Sequence, residues 1–144
     1  MRAGYLYLET HKAYPGLVRW AVSNNLPHPE VAEDDKVSIR YIARFYDVSA
    51  ALMHAHELLR WRLVDLESHL YRSDQMAAIA GIEADGLSHD CVYLHPDLVG
   101  TDAGERLQQL IMQRKCRRVR VERRWQMVGK LALGLLLIGL IGLL

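Results

Sequence analysis

Side chains able to do chemistry are concentrated at three places in this chain. The stretch HDCVYLHPD gathers His89, Cys91, His95 and Asp97, groups that hold zinc or related metals when they converge. Their spacing matches no zinc motif, and a polar loop accounts for the same residues. His54 and His56 stand two residues apart in a helical pattern, so they point away from each other and cannot share a metal. The third place is RKCRRVRVERR, residues 114 to 124, where Arg114, Lys115, Arg117, Arg118, Arg120, Arg123 and Arg124 accompany a single Glu. Such a run binds phosphate, as anionic lipid headgroups at about 1 kcal/mol per basic residue or as nucleic acid.

Charge decides which partners the rest of the chain can have. Of 144 residues, the first 105 hold nine Lys/Arg against sixteen Asp/Glu, a net of −7. The remaining 39 hold nine against one, a net of +8. Nucleic-acid affinity rests on basic groups neutralising phosphates, so the acidic body is poorly suited to bind DNA and only the tail has the right sign. Two cysteines, Cys91 and Cys116, are too few for a disulfide framework and fit a reducing compartment. Arg2 is followed by the strand-like GYLYLE and not by an apolar run, so no signal peptide is read at this end.

The basic run is followed by WQMVGKLALGLLLIGLIGLL, which has fourteen uninterrupted apolar or glycine residues from Leu131 to Leu144. Fourteen helical residues reach about 21 Å and twenty about 30 Å, the thickness of a hydrocarbon core. A span over 125–144 therefore needs Lys130 to snorkel toward the headgroups and Trp125 to sit at the interface. By the positive-inside rule the basic run holds the amino-terminal side in the cytoplasm, which makes this a single-pass tail anchor. Gly129, Gly134 and Gly139 recur every five residues, not at the four-residue spacing of close helix dimers.

These groups must be positioned by a small set of elements. Tyr5 to Leu8 alternates as a strand, YPG turns, and Leu17 to Val22 resumes, giving a hairpin. Residues 23 to 35 mix turn formers with an acidic cluster and leave room only for a short helix. Val37 to Tyr46 is a third strand. From Asp47 to Leu63 the period changes to a helical one, with Asp47 or Ser49 as N-cap. A short extended piece within 64 to 72 precedes a helix over Ser73 to Ala84, closed near Gly86. A turn-rich connector, with one short strand at Val92 to Leu94, leads to a helix from Glu105. Packing alone explains Tyr5 and Tyr7 as alternate positions of a strand, and His56 as a hydrogen-bonded core histidine.

The order of these elements, with GYLYLE, PGLVRWA, a helix carrying His56 and YRSDQMAAIAGIEA, resembles the GIY-YIG endonuclease superfamily, in particular its phage-type DNA-binding branch, over residues 4 to about 86. The resemblance implies DNA cleavage by a tyrosine in each hairpin strand, an arginine on a first helix and a glutamate holding magnesium or manganese. In that chemistry the metal polarises the phosphate, the cation offsets developing charge and a basic group readies water. Tyr5 and Tyr7 match the first strand. The second-strand tyrosine falls on Arg19, followed by Trp20 and Ala21. The arginine falls on Ala32 in HPEVA. The metal-binding glutamate meets His69 in SHLY, with Glu67 two residues earlier as the fallback ligand, and a lone imidazole is a poor ligand for magnesium. An active enzyme would use Tyr5, Tyr7, Arg19, His56, Glu67 and His69 with Mg or Mn. The departures at Ala32 and His69 lead us to expect a pseudo-nuclease with no cofactor.

The expected fold is α+β: a GIY-YIG-like domain over 1–86, with a three-stranded antiparallel sheet flanked by helices. A connector follows over 87–104, then a basic juxtamembrane helix over 105–124 and a transmembrane anchor over 125–144. The expected function is a membrane-tethered, cytoplasm-facing interaction or scaffolding module that meets a protein partner while its basic run contacts anionic headgroups. The alternatives are a membrane-anchored nuclease or DNA-binding protein and a small accessory subunit of a larger membrane complex.

Overall fold

The computed structural model describes residues 2–29, 36–100 and 102–141, with side chains through residue 134. The hairpin forms from β1 (Gly4–His11) and β2 (Leu17–Ser23), turned at Gly16, whose φ of +84° is one that glycine adopts without strain. Strand β3 (Val37–Phe45) pairs antiparallel with the free side of β1. Helix α1 (Val48–Leu59) follows, its first turn capped by the Asp47 carboxylate, which accepts the Ala50 N–H at 3.2 Å. A 3-10 turn leads into β4 (Leu63–Asp65) and β5 (Leu70–Arg72), then α2 (Gln75–Glu83), β6 (His89–Leu94) and α3 (Asp102–Ile141).

The sheet is larger than expected. It has six strands in the order β4-β5-β2-β1-β3-β6, not three, because the 64–72 piece is a hairpin added beyond β2 and the connector supplies β6 beyond β3. β6 runs from His89, three residues ahead of the expected strand. Its polar start, His89 to Cys91, hides the first half of the strand in the sequence because an edge position leaves polar residues exposed.

All three helices pack on one face. Leu6, Leu8, Trp20, Tyr41, Phe45 and Tyr71 from the strands meet Ala51 and Ala55 of α1, Ile79 and Ile82 of α2, and Leu107 and Ile111 of α3. Small residues on the buried stripe of α1 let the helix approach the large rings beneath it. The packed unit extends past residue 86 into the first turns of α3, with 87–104 contributing a strand and the buried Leu98. α2 is capped by Asp74, which accepts the Ala77 N–H at 3.0 Å; Ser73, the expected start, is buried and tied to the Gly16 carbonyl.

At 40 residues α3 is about 60 Å long. From Val119 to Leu133 every side chain is exposed. Among the described residues no helix is long and apolar enough to cross a membrane. Half of the expected 125–144 span, from Leu135 on, carries side chains outside the described residues.

Candidate functional site

β1 sorts its side chains between two environments. Gly4, Leu6 and Leu8 face the helices; Tyr5, Tyr7 and Glu9 alternate with them and line the opposite face, half-buried. Cross-strand register extends that face: Arg19 lies opposite Glu9, with the two groups 3.6 Å apart, Arg44 lies opposite Tyr5, and Tyr7 sits between Ala21 and Ile42. Burial pushes the Tyr7 hydroxyl above the ordinary phenol range, with the Glu9 carboxylate adding to it and Arg19 opposing it. Glu9 is itself raised by burial against the lowering influence of Arg19. A phenol held this way is neutral near pH 7 and a weak base.

His56 and His69 lie on the other side of the sheet. His56 projects from α1 onto Tyr71 of β5, whose hydroxyl is hydrogen-bonded to His56 Nδ1. The His69 ring meets the His56 ring edge-on, with centroids 4.6 Å apart at 83°. Burial, then the proximity of His69, lowers the His56 pKa, so this imidazole is neutral at pH 7. His69 reaches its place through a left-handed backbone, φ +53°, in the β4–β5 turn, with its carbonyl accepting the Trp20 N–H at 3.3 Å. Tyr71 is fully buried, so its hydroxyl completes a hydrogen bond in the core instead of meeting a substrate.

The structure therefore brings His56 and His69 together and places Tyr5, Tyr7 and Arg19 on the far face of the same sheet. Glu67, exposed in the β4–β5 turn, joins neither group. Ala32 lies outside the described residues. Among the described residues no three His, Cys, Asp or Glu side chains are grouped to hold a metal ion. His89, Cys91, His95 and Asp97 are drawn apart along β6 and the turn after it: His89 pairs with Glu83 at 3.2 Å, while His95 and Asp97 lie 3.3 Å apart beside Arg40.

Two polar clusters escaped the sequence reading. In the first, the Tyr41 hydroxyl donates to Glu83 at 2.7 Å, His89 holds the other Glu83 oxygen, and the His89 ring stacks on Phe45 at 4.8 Å. Hydrogen bonding to Glu83 raises the His89 pKa. Glu83 ends below the ordinary carboxylate range because bonds from His89 and Tyr41 outweigh its desolvation. In the second, Arg40 Nε donates to Gln75 at 2.8 Å and Nη1 reaches Asp97 at 3.3 Å, on the wall of an open cavity of about 520 Å³ by the β1–β2 turn. Both join residues at least 35 positions apart at one of their contacts, which no local pattern signals.

The basic run divides. Arg114 is half-buried against α2, where a Cβ on Gly81 would fall 2.9 Å from its Nη1, and Arg118 reaches the Ala84 carbonyl at 3.5 Å and Asp85 at 3.3 Å. Asp85 also pairs with His54. Arg118 is thus a cation at the C-terminal end of α2, where carbonyl dipoles favour it. Arg114 and Arg118, expected at headgroups or nucleic acid, are turned onto the body instead. Lys115, Arg117, Arg120, Arg123, Arg124, Trp125 and Lys130 are exposed on the projecting helix.

No protein-family model, no curated protein and no solved structure matches this chain.

Proposed function

We propose that this chain is a membrane-tethered, cytoplasm-facing interaction module built on a GIY-YIG-like hairpin and lacking nuclease activity. The observation that carries this reading is the separation of Tyr5, Tyr7 and Arg19 from His56 and His69 by the sheet itself. Phosphodiester cleavage needs metal, cation and base around one phosphate, and a substrate cannot reach both faces of a sheet at once. The acidic body supports a protein partner over DNA. The exposed Lys115, Arg117, Arg120, Arg123 and Arg124 ahead of Trp125 support contact with anionic headgroups. The apolar run ending at Leu144 supports insertion, with the body on the cytoplasmic side.

The test is a nicking assay on supercoiled plasmid, using detergent-solubilised full chain with magnesium or manganese. The expected result is no nicking above a mock preparation. Nicking that Tyr7→Phe abolishes would establish the nuclease alternative.

A further inference from the structure

β4 is the outermost strand of the sheet and among the described residues pairs only with β5. Every residue from Arg60 to Glu67 is exposed, including Trp61 at 87%, Leu63 at 40%, Val64 at 49% and Leu66 at 64%. The Arg60 guanidinium lies 4.7 Å over the Trp61 ring. An open strand edge with clustered apolar side chains, Trp and Arg among them, has the composition of an interface centre and is an aggregation liability if nothing covers it.

The charge order names the occupant. Read along the chain, RWRLVDLE places Arg60 and Arg62 at one end, the apolar residues mostly between, and Asp65 and Glu67 at the other. Turned end for end, the same segment presents acid where the first presents base. We propose that this edge docks a second copy of the chain, β4 pairing antiparallel with its symmetry mate about a two-fold axis. Arg60 is paired with Glu57 within its own chain at 2.9 Å and Asp65 accepts the Ser68 N–H at 3.0 Å, so around that axis the facing charges are Arg62 of each copy and Glu67 of the other, the self-complementarity an isologous interface requires. Parallel pairing would set like charges together.

The inference rests on the interaction-module reading and gives that module its partner.

The experiment measures the protein mass of full chain in mild detergent by light scattering, with circular dichroism confirming unchanged folding. Wild type is expected to contain two chains. Arg62→Glu and Glu67→Arg, both at exposed positions, should each weaken association about tenfold or more, and an equimolar mixture of the two variants should recover two-chain particles. Single-chain wild type would overturn the proposal, as would dimers indifferent to both reversals or a mixture that stays single-chain. None of these outcomes bears on the nicking result, so failure here is distinguishable from failure of the module reading.

Discussion

His56, a candidate catalytic residue in the sequence, has its Nδ1 taken up by the hydroxyl of Tyr71. The Tyr71 hydroxyl occupies His56 Nδ1 in a part-buried contact, so Tyr71→Phe leaves that nitrogen without this partner and should cost about 1 kcal/mol, read as a lower melting temperature. The histidines also give stability a pH profile with two signs. His89 has a raised pKa when folded, so its contribution is complete below the unfolded value of 6.5 and is lost as pH rises through the folded one; His89→Gln should flatten the alkaline side. His56 has a lowered pKa, so its contribution is present above 6.5 and lost as pH falls through the folded value; His56→Gln should flatten the acid side. Glu83, lowered, likewise loses its contribution only as pH falls below 4.5 toward its folded value. Melting temperatures between pH 4 and 9 check all three. The alternation of Tyr5 and Tyr7 with Leu6 and Leu8 was legible in the sequence because a strand's period is local. The meeting of His56 with His69 was not, since it needs a helix, a hairpin and a left-handed residue to coincide.

Among the elements, the hairpin, β3, α1 and α2 could be read from turn residues, period and caps, with ends displaced by a few residues. The two edge additions were legible only in part: the single extended piece expected within 64–72 is two strands of three residues each, and the strand expected at Val92 to Leu94 begins at His89, because the pairing of such short or half-polar strands comes from their neighbours. This sets an expectation for truncation. A fragment ending at residue 86 loses β6, Leu98, Leu107 and Ile111 and should show no cooperative melt, whereas one ending at residue 120 should melt as a single transition in circular dichroism. Gly104 tests the docking of α3. A Cβ there would sit 2.9 Å from the Leu98 carbonyl oxygen, a backbone atom that cannot swing aside. Gly104→Ala should therefore destabilise by about 1–2 kcal/mol despite the higher helix propensity of alanine, as a chemical denaturation curve would show.

For the molecule as a whole, the charge split was legible from the sequence, and what each basic residue does was not. Arg114 and Arg118 brace α3 against α2 because Gly81 and Gly86 leave room for guanidinium groups, a fit set by packing across 33 positions. Arg117, Arg120, Arg123 and Arg124 are exposed along the same helix. Everything about where this protein works depends on the segment those residues introduce. Alkaline carbonate extraction of membranes carrying the full chain, beside a chain ending at Arg124, tests it most directly. The account predicts the full chain in the membrane pellet and the shortened chain in the supernatant; full chain released entirely to the supernatant would contradict it.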